Sequence, residues 1–340
     1  MFVDRSEALS TLALAEEARP ELTGPQVREW LDRLQAQHDR IRDALAWFLE
    51  HGGEREALRL GVALWRFWMV RGDNAQGRAW LERVLATPAA AEPTPVRAQA
   101  LYGAGLLAFR QGDQEASRAF NQEALEVARK AEDRRGEANA LVGLARVAFR
   151  EGDHQAVRAR AQEALAVARG LQEPEAVSAP LHLLAAGTRQ AGDYPRARAL
   201  YEDSLALSRE LGDQRMVAME LLNLAAVDKQ LGNLLGAEAL LREGIPQMRA
   251  VGDQGLTVAG LVVMAGVLTG GAEPARGARL LGVVDALVEA SAQVLDPDDQ
   301  AEYEQAVASA RATLGGGAFE VERDQGRAMS LESAVAYALG

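Results

Sequence analysis

Apolar residues lie at helical spacing on both sides of a glycine–aspartate pair, Gly112-Asp113. In the segment 101–108 they recur at i, i+3, i+4 and i+7, and in the segment 120–128 at i, i+4, i+5 and i+8. This spacing places them on one face of an α-helix. Glycine permits the left-handed backbone at which a helix ends, and aspartate caps the helix that follows. The pattern therefore predicts a helix, a tight turn and a second helix.

The same unit returns every 40 residues along most of the chain. The turns that mark it are Gly72-Asp73, Gly112-Asp113, Gly152-Asp153, Gly192-Asp193 and Gly232-Asn233. A fixed period of this length is typical of helical repeat arrays, in which stacked units share a continuous core. We call the first helix of each unit helix A and the second helix B. One helix B contains Pro246, which is expected to kink or shorten it.

The two ends depart from the repeat, as expected of capping segments. Residues 26–50 are predicted to form one amphipathic helix, and residues 297–313 and 331–339 two more. We therefore expect an N-terminal helical cap over 1–56, a repeat array over 57–290 and a C-terminal helical cap over 291–340.

Composition and charge narrow the classes of function. Aromatic residues make up 5% of the chain, so its core must consist mainly of alanine, leucine and valine. The net charge of −12 disfavours direct nucleic-acid binding, which normally requires a basic surface. There are no cysteines, and the apolar runs are too short for a signal peptide or a membrane span. These features predict a cytoplasmic protein that does not enter a membrane.

No catalytic motif is recognisable, and the four histidines lie in different predicted helices or turns. The sequence therefore predicts neither an enzyme nor a metal or cofactor site.

Helix pairs joined by Gly-Asp turns, with small residues where the helices meet, resemble tetratricopeptide repeats. The usual repeat has about 34 residues, so a 40-residue unit implies longer helices. The resemblance implies an all-α fold, a right-handed superhelix of about six repeats, with helices A lining the concave face. On this basis the candidates for a ligand groove are Arg66, Tyr102, Phe109, Arg110, Asn139, Arg146, Arg150, His182, Arg189 and Lys229.

Six of these ten candidates are cationic and none is acidic, although the whole chain is acidic. One explanation is a basic groove that grips an acidic peptide or a small anionic molecule. The alternative is that these cations stabilise the C-terminal ends of helices A, because several lie in the last turn before the glycine.

All five tryptophans lie within the first 80 residues. They belong either to a larger N-terminal core or to a docking surface for another domain or a second copy of the chain. The docking candidates are Trp30, Trp47, Trp65, Trp68 and Trp80.

A narrower resemblance rests on WLDRLQAQHDRIRDALAWFLEHG, on ALWRFWMVRGDNAQGRAWLERVL and on the closing ARLLGVVDALVEA. These segments resemble the C-terminal sensor region of bacterial signal-transducing NTPase regulators, including LuxR-type and AfsR-like activators. The resemblance implies a regulatory array that binds a protein, a peptide or a small anionic inducer and acts on an upstream NTPase or winged-helix domain. The NTPase motif itself is missing. A free-standing scaffold that joins proteins is the alternative function.

Overall fold

The computed structural model describes residues 4–22, 26–291, 295 and 297–340, and every regular element in these residues is helical. The elements are α1 (Arg5–Glu21), α2 (Val27–Ala36), α3 (His38–Glu50), α4 (Glu54–Arg71), α5 (Asn74–Leu85), the 3-10 helix η1 (Pro88–Ala91), α6 (Pro95–Arg110), α7 (Gln114–Lys130), α8 (Arg134–Arg150), α9 (His154–Arg169), α10 (Pro174–Gln190), α11 (Tyr194–Glu210), α12 (Gln214–Gln230), α13 (Leu234–Ala250), α14 (Gln254–Gly270), α15 (Pro274–Ser291), α16 (Pro297–Leu314), α17 (Gly316–Arg327) and α18 (Leu331–Leu339).

Helices α4 to α15 form six successive helix pairs, which confirms the predicted repeat fold. The glycines at 72, 112, 152, 192 and 232 all have φ between +72° and +83°, the left-handed conformation that ends helix A. The next residue caps helix B: the Asp113 carboxylate, for example, accepts a hydrogen bond from the Ala116 N–H at 3.0 Å. The Gly-Asp turn therefore performs the role that its sequence predicts.

The chain divides into two compact units, residues 1–183 and 184–340. The core of the first unit is built around Phe48, Phe67 and Trp68, each at most 2% exposed. The core of the second is centred on α14, in which all residues from 257 to 269 are buried. Despite that burial, none of the described helices has both the length and the apolar character needed to cross a bilayer.

One sequence prediction for the ends is wrong in detail, and so is one for the array. Residues 26–50 form two helices that are separated at Gln37, and apolar side chains of both α2 and α3 pack into the core of the first unit. Pro246 does not shorten α13, which keeps all 17 residues. The buried side chains of Leu241, Ile245 and Met248 hold that helix in place although proline removes one backbone hydrogen bond.

The C-terminal helices of the second unit are joined by a network of charged groups around Asp285 of α15. Its carboxylate accepts hydrogen bonds from the Tyr303 hydroxyl of α16 at 2.5 Å and from Arg323 Nε of α17 at 2.6 Å. Arg323 Nη2 also donates to the Tyr303 oxygen at 3.1 Å. Burial, reinforced by the hydrogen bond to Asp285, raises the pKa of Tyr303 to about 12. Every charge in this network therefore has a partner within the chain.

Candidate ligand-binding cavity

A cavity of about 550 Å³ opens in the first unit between the helices A of three successive repeats and the N-terminal helix α1. This volume lies in the range of small-ligand and short-peptide sites. Its lining residues are Glu16, Arg19 and Pro20 of α1, Val62, Ala63, Trp65 and Arg66 of α4, Gln99 and Tyr102 of α6, and Arg135 and Asn139 of α8.

The repeat explains why these side chains meet. Gln99 and Asn139 are 40 residues apart, so they occupy the same position in neighbouring helices A. Val62 and Tyr102 form a second equivalent pair, and Arg66 and Arg146 lie two repeats apart at a third position. Equivalent positions of stacked helices point to the same face of the array. The cavity wall is therefore a row of helix A positions at successive levels.

Two arginines converge on the aromatic side chains of this wall. The Trp65 and Tyr102 rings meet edge to face, with their centroids 5.8 Å apart. The Arg66 guanidinium lies over the Trp65 ring, 4.9 Å from its centroid. Arg146 Nη1 donates a hydrogen bond to the Tyr102 hydroxyl oxygen at 3.1 Å. The aromatic pair thus contacts two guanidinium groups, one in the lining of the cavity and one that adjoins it.

Neither of these arginines is neutralised. Within the described part of the chain, no carboxylate oxygen lies within 4 Å of the guanidinium nitrogens of Arg66 or Arg146. Burial lowers the pKa of Arg66; Tyr102 raises it, and the positive charges of Arg146 and Arg19 lower it further. Arg66 therefore places in the cavity a partly desolvated positive charge that Arg146 and Arg19 repel.

The acidic groups near the cavity are already engaged. Both carboxylate oxygens of Glu16 accept hydrogen bonds from Arg59, at 2.9 and 2.8 Å. Glu173 forms an ion pair with Arg135, the third arginine of the lining after Arg19 and Arg66. A negative charge that balances Arg66 and Arg146 would have to come from a bound molecule.

The structure places the ten groove candidates in three environments. Arg66, Tyr102 and Asn139 line the cavity, and Arg146 contacts it through Tyr102. Further along the same helices, Arg150 lies over the Phe109 ring at 5.2 Å, and Arg110 is exposed in the last turn of α6. His182 is half-buried on α10, while Arg189 and Lys229 belong to the second unit.

The helix-end explanation fits some of these cations and not others. Arg110, Arg150, Arg189 and Lys229 all lie in the last turn of their helices, where a positive charge stabilises the helix dipole. Lys229 has a further partner, because it forms a largely buried ion pair with Glu302 of α16. Arg66 and Arg146 lie before the last turn of α4 and α8, so the dipole does not account for them.

Most of the tryptophan candidates belong to the core of the first unit. Trp30, Trp68 and Trp80 are 6%, 1% and 8% exposed and lie among its buried residues, which leaves them little surface to offer a partner. Trp47 and Trp65 are half-buried at the edge of that core. Trp65 lines the cavity, so it contributes to the candidate site rather than to a separate docking surface.

Helix α1 contributes a wall of the cavity that the repeat pattern does not predict. Arg19 of α1 donates a hydrogen bond from Nη2 to Gln99 Oε1 at 2.9 Å. A local signal for α1 does exist, because Asp4 and Glu7 form a capping box in which each side chain bonds the other's backbone N–H, at 2.9 and 3.1 Å. Among the described residues there is no cluster of histidine and acidic side chains that could hold a metal.

Comparison with known proteins agrees with this architecture. Residues 96–170 match the tetratricopeptide repeat family model. This segment consists of tetratricopeptide repeats. It spans α6 to α9, and so includes the part of the cavity formed by Gln99, Tyr102, Arg135 and Asn139. No curated protein sequence matches the chain.

Solved structures with the same fold cover nearly the whole chain at low sequence identity. A Rap protein in complex with competence and sporulation factor is 14% identical, with a TM-score of 0.59 over 97% of this chain and 99% of that one. Aspartyl phosphate phosphatase F from Bacillus subtilis is 11% identical, with a TM-score of 0.62 over 97% and 96%. NprR in complex with its cognate peptide NprX is 15% identical, with a TM-score of 0.57 over 93% and 86%. These similarities confirm the predicted all-α tetratricopeptide fold.

Proposed function

We propose that this chain is a non-catalytic binding array that holds a peptide, or a segment of a partner protein, in the cavity of its first unit. The observation that carries the proposal is a pair of unneutralised arginines at a cavity of about 550 Å³: Arg66 lies in its lining over Trp65, and Arg146 adjoins it through Tyr102. Two proteins with this fold are named in complex with competence and sporulation factor and with the cognate peptide NprX, which supports this function for the fold.

The regulatory role follows from the resemblance to bacterial sensor regions. On this proposal the array is the sensor module of a signal-transduction or transcription regulator, and ligand binding alters its contacts with an upstream NTPase or winged-helix domain. Cytoplasmic localisation belongs to the same proposal. One protein with this fold is named as a phosphatase, so the fold alone does not exclude catalysis. The non-catalytic assignment rests on the cavity, whose lining offers binding groups but no paired nucleophile and base.

A binding experiment tests the proposed function without knowledge of the natural ligand. The purified chain is immobilised and exposed to a random pentapeptide library, and the retained peptides are identified by mass spectrometry. The parallel arm uses a variant in which both Arg66 and Arg146 are changed to glutamate. Peptides that the native chain retains and the variant loses support the proposal. Retention of the same peptides by both proteins would show that peptide binding does not depend on the cavity, and would contradict the proposal.

The scaffold alternative makes a different prediction. A free-standing scaffold would capture folded protein partners from host extract, and the double charge reversal in the cavity would leave that capture unchanged. The two arms, run together, separate a ligand-binding sensor from a scaffold.

A further inference from the structure

We infer that the cavity is specific for an acidic peptide, whose carboxylate is gripped jointly by Arg66 and Arg146 while Gln99 and Asn139 bond its backbone. This inference deepens the proposed function and rests on it. The proposed function requires only that peptides bind in the cavity; the inference specifies their charge and the side chains that recognise it.

The balance of charge favours an acidic ligand. The chain carries 49 acidic and 37 basic side chains, so carboxylates are in excess. Arginines elsewhere in the repeats use that excess: Arg78 Nη1 lies 2.8 Å from an Asp113 oxygen, and Arg129 Nε lies 3.0 Å from a Glu137 oxygen. Arg66 and Arg146 have no such partner among the described residues, although both lie in a partly buried position. An external carboxylate would supply the missing charge through strong, charge-assisted hydrogen bonds.

The size of the cavity and the apolar groups in its lining favour a peptide over a small anion. A space of about 550 Å³ is much larger than an inorganic anion requires. Its wall also presents the apolar side chains of Val62 and Ala63 and the ring of Trp65, which suit the side chains that flank an acidic residue. A short peptide combines these apolar groups with a carboxylate, whereas phosphate or citrate offers charge alone.

Two side-chain amides in the cavity lining can bind a peptide backbone. Gln99 and Asn139 occupy equivalent positions on adjacent helices, and an amide side chain can both donate to and accept from a peptide backbone. The hydrogen bond from Arg19 occupies Gln99 Oε1, so the Nε2 group of Gln99 is oriented to donate to a peptide carbonyl. Arg19 is therefore a positioning residue, and it ties the cap helix α1 to the site.

The test compares two labelled pools by fluorescence anisotropy at low salt. One pool contains pentapeptides with aspartate or glutamate at two fixed positions; the other has asparagine or glutamine at those positions. Each pool is titrated against the native full-length chain, against Arg66→Met and Arg146→Met, and against Arg169→Met. Arg169 is exposed in the last turn of α9, a helix B outside the cavity, and provides the matched control. Circular dichroism verifies that every variant is folded.

The acidic pool is expected to bind the native chain about ten to a hundred times more tightly than the amide pool, the ratio typical of a charged hydrogen-bonded contact. Arg66→Met and Arg146→Met should each remove about tenfold or more of that preference. Arg169→Met should leave both affinities unchanged. Inorganic phosphate and citrate, added as competitors, should displace the acidic pool only at concentrations that act through general screening.

Three results would overturn the inference. Equal binding of both pools in the cavity would show peptide binding without selection for charge, so the proposed function would survive and the inference would not. Displacement by citrate or phosphate at low concentration would identify a small anion as the ligand class. If neither pool binds the folded chain, the result contradicts the proposed function as well as the inference.

Discussion

Two arginines beside the cavity of the first unit and three cations of the second unit differ in whether the chain itself supplies an acidic partner for them. In the first unit, Arg66 lines the cavity and Arg146 adjoins it through Tyr102, and neither has an acidic partner among the described residues. In the second, Lys229 is paired with Glu302 of α16, and Arg323 and Arg327 are paired with Asp285 and Glu289. In the second unit, α15 and α16 thus supply from within the chain the kind of acidic partner that Arg66 and Arg146 lack.

This contrast shows that units built from the same repeat can differ in the charged partners that surround their helices. The turns and helix lengths are nearly constant across both units, so the scaffold itself does not decide which face binds. The non-repeating helices differ between the units: α16 brings the Glu302 carboxylate to Lys229 and α17 brings arginines to carboxylates of α15, whereas α1 brings Arg19 and a carboxylate already occupied by Arg59. A partly buried charge without a partner destabilises the ligand-free protein. A bound ligand of opposite charge would offset that penalty.

The largest effect is expected from removal of the Asp285 carboxylate, the centre of the charged network in the second unit. Asp285→Ala leaves Arg323 partly buried without its main partner and deprives Tyr303 of its acceptor. We expect the free energy of unfolding to fall by about 3 kcal/mol, as for other broken buried ion pairs. Urea unfolding followed by far-ultraviolet circular dichroism measures this loss.

The matched control for Asp285→Ala is Glu289→Gln, which removes an exposed partner of Arg327. It should cost less than about 1 kcal/mol because exposed ion pairs contribute little. Equal losses in the two variants would mean that burial does not set the value of these pairs.

The Lys229–Glu302 pair offers a double-variant cycle. Both side chains are largely buried, at 11% and 15% exposed. Lys229→Met alone leaves the Glu302 carboxylate buried and unpaired, and should cost about 2 kcal/mol or more. Adding Glu302→Leu removes that carboxylate and should recover most of the loss, since apolar replacement of a whole buried pair is often neutral. If the two single losses simply add, the residues are not coupled and the contrast between the units weakens.

The repeat architecture could be predicted from sequence because its determinants are local. A glycine and a capping residue lie side by side in each turn, and the 40-residue period multiplies the signal. The boundary at Gln37 escaped prediction because apolar positions continue at helical spacing on both sides of it, and the break depends on how α2 and α3 pack.

The candidate site was only partly predictable, for a related reason. Register along helix A places Arg66, Tyr102, Asn139 and Arg146 on one face, so these four could be selected from sequence. The same register could not show that Lys229 meets Glu302, 73 residues further on, or that α1 closes the cavity. Such pairings depend on how the non-repeating ends fold back, and no period encodes them.

The free energy of unfolding should also depend on alkaline pH through Tyr303, by a smaller amount. The pKa of Tyr303 is raised from its ordinary value of 10.0 to about 12 in the folded chain. The folded state therefore holds the phenolic proton more tightly than the unfolded state. The resulting stability is present below pH 10 and is lost as the pH rises toward 12.

Urea unfolding at a series of alkaline pH values measures this effect, with Tyr303→Phe as the control. The variant loses the hydrogen bond to Asp285, about 1 kcal/mol, at every pH. It should also lose the part of the alkaline decline that Tyr303 causes. A decline of the same size in both proteins would assign it to other groups.

The smallest expected effect has the opposite sign and tests the first unit directly. Arg66→Met removes a charge that is desolvated and repelled by Arg146 and Arg19, while the methionine side chain keeps the apolar packing on Trp65. The loss of the cation–π contact costs about 0.5 kcal/mol at such a site, so a net gain of stability of up to about 1 kcal/mol is expected.

Because all five tryptophans belong to the first unit, urea unfolding followed by their fluorescence reports on that unit. Arg169→Met, which removes an exposed helix-end charge, should leave stability unchanged or slightly reduced. A destabilised Arg66→Met would show that Arg66 is satisfied within the empty chain, and the contrast between the two units would then have no energetic basis.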